Sequence, residues 1–224
     1  MHFHLPKPLH GWREFFGEVG IIVLGVLLAL GFEQIVDAVR WRSEVSELRD
    51  AMRVELAVDR ARVERNLQQD HCALARLDAT EHWASASAPK SRISSPEEPV
   101  LWNYHSSTWD LAKASPATTH FGLSERLAYA SAYDSVTSEQ RYLAGEQENW
   151  SELTASIASA DQPQSRALIV REVTIARSHL RSRESNAKIF LQKLNALGIQ
   201  PDPNGVPHTS NADRLCSPLA SPMT

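Results

Sequence analysis

Hydrophobic and polar positions divide the chain into stretches of different period. Residues 19–32 read VGIIVLGVLLALGF, 14 positions without a polar side chain. As a helix at 1.5 Å per residue this run covers about 21 Å, short of the ~30 Å hydrocarbon core of a bilayer. Extension through Phe15 and Phe16 on one side and Ile35, Val36 and Val39 on the other brings it to about 25 residues, enough to span. That extension includes Glu18, Glu33, Gln34 and Asp37. Trp12 and Trp41 fall beyond the two ends, where indoles favour the headgroup level. The pattern predicts an N-terminal flank over 1–14 and a single transmembrane helix over 15–39. Two other readings compete. A soluble core helix would need a large apolar core around it. A cleaved signal peptide has small residues at Ala29-Leu30-Gly31, but the acidic Glu14 and Glu18 before the run oppose it.

At 100° per residue, Glu18, Ile22, Gly25, Ala29, Phe32 and Glu33 share one face, small in the middle and acidic at both ends. Gly25 and Ala29 form a small-xxx-small pair that lets a second helix approach closely. Glu18 and Glu33 lie about 22 Å apart along the axis, too far for one proton site and close enough to the ends to reach the interface. Lys7 and Arg13 precede the span, and Arg40, Arg42 and Arg49 follow it. The positive-inside count leans by a single charge toward a cytoplasmic C-terminal region.

From Glu33 to about Thr80 there is neither proline nor glycine, and apolar residues recur at Val45, Leu48, Met52, Leu56, Val63, Leu67, Leu74 and Leu77. The spacing predicts a long stalk helix over 40–82, continuous with the membrane helix. Val45, Leu56 and Leu67 repeat every eleven residues, as do Met52, Val63 and Leu74, a period that gives a nearly straight stripe. Residues 83–106 are rich in Ala, Ser and Pro and read as a loop. A helical domain follows over 107–198. It holds a short helix near 108–114, a new start at Gly122 and Ser124, and a capping box at Thr137 and Gln140. Its last helix carries Ile169, Val173, Ala176, Leu180, Ala187, Phe190, Leu194 and Leu197 at alternating four and three spacing, broken only by Arg183. Gly198 and Pro201 supply the stop. The natural partner of this stripe is the one over 45–77, in a helical hairpin, or else a second copy of the chain. The proline-rich tail over 199–224 reads as mobile or draped. With no sustained period-two alternation, the expected fold class is all-α: an N-terminal transmembrane helix continuing into a long amphipathic helix, packed with further helices as a bundle or hairpin.

Composition narrows the function classes. Hydrophobic residues make up 42% and charged ones 22% of the 224, which fits a globular chain and excludes a wholly disordered one. A formal charge of −4 provides no global field for nucleic acid. Two cysteines, Cys72 and Cys216, cannot build a disulfide framework or a zinc finger. Of nine glycines, five fall within the first 31 residues, and no Walker A, GxGxxG or GxSxG string is present.

The remaining candidates for chemistry are few. His71 and Cys72 are helical neighbours whose side chains leave the axis about 100° apart, a poor base and nucleophile pair. His71, Asp78 and His82 share a helical face, but the histidines lie about 16 Å apart along it. Asp78 and His82 could supply two metal ligands only with help from another helix, such as His105 or His120, and a solvated helix end is the favoured reading. Arg177, His179, Arg181 and Arg183 form a basic cluster able to meet phosphate, flanked by Glu172 and Glu184; an ordinary charged face is preferred. Trp102, Tyr104 and Trp109 line a pocket or close a small core. No catalytic, cofactor or metal residue is assigned.

The N-terminal string Leu9-His10-Gly11-Trp12, Gly17-Glu18, Leu24-Gly25-Val26, Ala29-Leu30, Glu33-Gln34 and Trp41-Arg42 resembles a set of uncharacterised bacterial proteins. Members carry a Gly-Glu-initiated N-terminal membrane helix followed by a helical domain of unknown function. The similarity covers the first fifty residues or so and extends loosely over 108–150. It implies a single-pass inner-membrane protein and no activity. The expectation is therefore a non-enzymatic scaffold that self-associates or binds another membrane protein, without nucleic acid or cofactor. The alternative is a receptor-like module with a ligand pocket near residues 102–109.

Overall fold

The computed structural model describes residues 11–86, 98–160, 163–202, 204–206 and 215–216. Four α-helices account for most of them: α1 (Gly11–Ser85), α2 (Ser107–Ala114), α3 (Leu123–Ala158) and α4 (Pro163–Ala196). A 3-10 turn over Pro116–His120 follows α2, and there is no strand among the described residues. The chain is all-α, and it divides into two compact units, Met1–Glu47 and Leu48–Thr224.

Within the first unit the apolar run is helical and exposed among the described residues. Ile21 is 74% exposed and Phe32 68%, and none of the most apolar window is buried. Long unbranched and branched apolar residues form a stable helix here, but in water this face would be a large unsatisfied surface. The helix is long and apolar enough to cross a membrane.

The second unit packs α1, α3 and α4 along three buried rows. On α4 the row is Ile169, Val173, Ala176, Leu180, Arg183, Ala187, Phe190 and Leu194, all buried, with Leu197 half-buried. On α3 it is Tyr129, Ala132, Val136, Glu139, Leu143, Glu146, Trp150, Leu153 and Ile157. On α1 it is Met52, Leu56, Asp59, Val63, Asn66, Asp70, Ala73, Leu77, Thr80 and Ala84. All three keep the 4-3 spacing of knobs-into-holes packing. This corrects the eleven-residue stripe expected on α1: Leu67 and Leu74 are only half-buried, because Asn66, Asp70 and Ala73 take the inward positions beside them.

One apolar cluster of the core joins Ala73, Leu77 and Ala84 of α1, Trp150, Leu153 and Ile157 of α3, and Ile169, Val173, Ala176 and Leu180 of α4, with Leu215 from the tail. The α4 stripe is thus shared between α1 and α3 of its own chain. At Gly145 the two helices α3 and α4 come close enough that an added Cβ would lie 3.3 Å from His179 Cε1.

Helix ends follow local chemistry. Thr137 starts no new helix: α3 is continuous through it, and its hydroxyl donates to the carbonyl of Tyr133 one turn back, while Gln140 turns outward to the Tyr104 carbonyl. Pro163 opens α4, where its missing N–H costs nothing. Gly198, at φ +65°, closes it: its N–H bonds the Asn195 carbonyl and that of Ile199 bonds the Leu194 carbonyl, a Schellman stop. Beyond this stop the chain is tied back onto α1. Asp202 N–H donates to the Ala57 carbonyl at 3.0 Å, Arg53 donates to the carbonyls of Leu197 and Gly198, and Ile199 and Leu215 are buried. A Cys72–Cys216 disulfide holds the far end of the described tail to α1.

Candidate functional site

The apolar rows are interrupted near mid-bundle by charge. Arg183 occupies an inward α4 position at 1% exposure, its Nε donating to Glu146 Oε2 of α3 at 2.6 Å and its Nη2 donating to Asp70 Oδ1 of α1. One guanidinium therefore bridges all three helices, with two carboxylates facing it. Burial raises Asp70 to about 6 even though Arg183 pulls it down. Burial also works against the Arg183 charge, but Glu146 and Asp70 outweigh it and hold the guanidinium above its ordinary value.

A second polar group lies beside this ion triad. Glu139 is fully buried, accepts a hydrogen bond from Asn186 Nδ2 at 2.6 Å, and is pushed up to about 7 by desolvation, against the pull of Asn186, Arg183 and the Tyr104 hydroxyl. That hydroxyl accepts from Asn66 Nδ2 at 2.9 Å, and burial raises the Tyr104 pKa well above a phenol's usual value. Asp59, also fully buried, receives the His105 backbone N–H on both oxygens at 3.1 Å. Desolvation raises it to about 8 although that bond and Arg62 lower it.

These groups fix the connection that leads into α2. Gln69 exchanges two amide bonds with the backbone of Val100, Arg62 donates to the Asn103 carbonyl at 2.6 Å, and Gln140 to that of Tyr104. The first turn of α2 has no cap from Ser106; Glu55 of α1 instead accepts from the Thr108 N–H and the Ser107 hydroxyl. Glu55 also accepts from the Tyr133 hydroxyl at 2.9 Å, and the Tyr133 ring stacks on Trp109 at 5.2 Å.

The anchored segment and α3 enclose a cleft of about 560 Å³. Leu101, Asn103, Tyr104 and His105 form one wall; Gln140, Leu143, Gln147 and Trp150 form the other. Trp150 Nε1, in the wall, and elsewhere in the core Asn149 Nδ2, Glu139 Oε2, Glu146 Oε1 and Arg183 Nη1 have no hydrogen-bond partner among the described residues. Buried polar groups are nearly always paired, through protein or ordered water, so these atoms are places where water completes the network. The lining offers amide donors and acceptors over an aromatic and aliphatic floor, which suits a small polar ligand.

The residues singled out in the sequence are distributed differently from one another. Glu18, Ile22, Gly25, Ala29, Phe32 and Glu33 are all exposed. The Arg177 cluster is split. Arg177 bridges Asp78 and Glu81 of α1, His179 packs at Gly145, Arg181 is exposed and Arg183 is in the core. His71, Asp78 and His82 do not converge: Asp78 is engaged by Arg177, and the Nδ1 of His71 faces the Gln68 carbonyl at 3.0 Å. Of the three aromatics, Tyr104 lines the cleft while Trp109 belongs to the Tyr133 stack. His71 and Cys72 come together, but the Cys72 sulfur is bonded to Cys216 and is no nucleophile. The imidazole swings across so that Nε2 lies 3.2 Å from Cys72 Sγ.

Arg183, Asp70, Glu146, Glu139 and Asp59 were not legible as a site from apolar spacing alone. A signal was present: acids at 59, 70, 139 and 146 and a lone arginine at 183 occupy inward heptad positions on three helices. No family model, curated protein or solved structure matches the chain.

Proposed function

We propose that the chain is a single-pass protein of the bacterial inner membrane, with residues 15–39 as the transmembrane helix and residues 48–224 as a receptor-like binding domain outside the cytoplasm. The observation that carries the binding assignment is the cleft of about 560 Å³ against Tyr104 and Trp150. Its lining, amide groups of Asn103, Gln140 and Gln147 beside Tyr104 and Trp150, favours ligand recognition over catalysis. The bare apolar face of the N-terminal helix supports the membrane assignment, as does the resemblance of residues 9–42 to bacterial membrane proteins. The Cys72–Cys216 disulfide supports the extracytoplasmic side, since such bonds persist in oxidising compartments. This outweighs the opposite lean of the Lys and Arg count, whose margin is one charge.

A second reading, a scaffold assembled through the membrane helix, is favoured by the exposed Gly25 and Ala29 face. The α4 stripe does not serve it, because that stripe is consumed within the chain.

Two measurements test the main reading. Fusion after Thr224 to a periplasm-active phosphatase should give activity, and fusion to a cytoplasm-active fluorescent protein should not; the reverse pattern overturns the topology. For the cleft, a panel of small polar metabolites is screened by thermal shift on the purified full chain. At least one should raise the melting temperature, and Ala144→Trp, which fills the cleft from an exposed position, should abolish that rise. A panel without effect, or a rise that survives the substitution, removes the binding assignment.

A further inference from the structure

We propose that the dithiol form of this protein holds a zinc-class cation between Cys72, Cys216 and His71, so that metal binding and the disulfide are alternative states of one site. The inference does not rest on the cleft or on membrane orientation.

The sulfurs of Cys72 and Cys216 and a ring nitrogen of His71 all lie within 4.8 Å of one another. Two thiolates and an imidazole are a zinc ligand set, and on a tetrahedral ion with Zn–S of about 2.3 Å the two sulfurs would sit about 3.8 Å apart. The Cα atoms of the two cysteines are 5.1 Å apart, so that spacing is reached by rotating the exposed Cys216 side chain without moving α1.

The imidazole is oriented for the task. Its Nδ1 lies 3.0 Å from the Gln68 carbonyl, which can only accept, so Nδ1 carries the proton and donates it there. Nε2 is left with its lone pair, and it is Nε2 that faces Cys72 Sγ at 3.2 Å. A backbone carbonyl that fixes the tautomer of a ligating histidine is the usual outer-shell arrangement at such sites.

The second cysteine is also held in place without the S–S bond. Its neighbour Leu215 is 1% exposed in the core between α1, α3 and α4, and Arg76 Nε donates to the Leu215 carbonyl at 3.2 Å. Opening the disulfide therefore leaves Cys216 near Cys72. His71 and Cys216 are exposed, which gives an ion a path in and a fourth position open to water.

The chemistry balances with a dithiol reductant. Thiol–disulfide exchange breaks the Cys72–Cys216 bond and transfers two electrons and two protons from the reductant, which leaves as its own disulfide. The divalent ion then binds as the two thiols release their protons. Reoxidation requires the ion to leave.

The test uses the full chain in detergent, reduced with a phosphine and titrated with Co²⁺ as the spectroscopic probe. One Co²⁺ per chain should bind with a thiolate-to-cobalt charge-transfer band, Zn²⁺ should bleach it, and the oxidised protein should show none. His71→Gln should keep the band but weaken Co²⁺ binding by about ten- to a hundredfold, and Cys216→Ser should lose roughly half of the band. Far-UV circular dichroism of the reduced, metal-free chain should match the oxidised chain. A reduced chain that stays helical and shows no band overturns the proposal. Loss of helix on reduction also overturns it, since the site must outlast the disulfide. Equal Co²⁺ affinity in wild type and His71→Gln removes the imidazole from it.

Discussion

Arg183 joins buried carboxylates from two other helices, Asp70 and Glu146. Truncating it leaves Asp70 and Glu146 facing each other in the core, so Arg183→Met should destabilise the domain by about 3–5 kcal/mol in urea titration. The triple replacement of Asp70, Glu146 and Arg183 by Leu, Leu and Met should recover most of that loss, because it removes the ions together with their desolvation. Asp59 makes a separate prediction. Its folded pKa of about 8 lies above the ordinary 3.8, so the native state holds this proton the more tightly. Stability from this group is full below about pH 4 and declines as pH rises toward 8. Glu139, raised to about 7, and Asp70, raised to about 6, act in the same direction over lower windows. Asp59→Asn should narrow the gap in melting temperature between pH 5 and pH 8 by roughly 3–6 °C, read by calorimetry. An unchanged gap would mean that water or another cation stabilises the carboxylate.

At the level of elements, α4 shows what apolar spacing can and cannot reveal. Its stripe and its stop were legible, because the 4-3 repeat and Gly198 each have one common structural meaning. Gly198 holds a left-handed backbone at φ +65°, so Gly198→Ala should cost about 1 kcal/mol in urea titration while leaving helical content unchanged. The row on α1 was misread because four of its inward positions, Asp59, Asn66, Asp70 and Thr80, are polar. A reading that counts apolar residues skips them and settles on the flanking Leu67 and Leu74. The Thr137 capping box failed for a related reason: Ser, Thr and Gln inside a helix can satisfy themselves on the preceding turn or a neighbouring segment. The cleft depends on residues 98–105 lying along α1, a long-range pairing that no local pattern carries.

For the whole molecule, helix pairing within the chain and helix pairing between chains separate cleanly. Leu180 lies in the shared core, so Leu180→Asp should unfold the 48–224 domain and change its circular dichroism. Gly25→Leu should leave that spectrum intact and, under the scaffold reading, lower the oligomer mass in detergent by light scattering. A mass that is the same in wild type and Gly25→Leu would remove this face from any assembly. The Cys72–Cys216 bond, finally, spans a sequence separation of 144 and so closes α2, α3 and α4 into a covalent ring with the lower part of α1. A single backbone cut anywhere inside that ring opens the circle without dividing the protein. A nicked chain would run as one species on a non-reducing gel and as two after reduction, and its native packing would outlive its linear continuity.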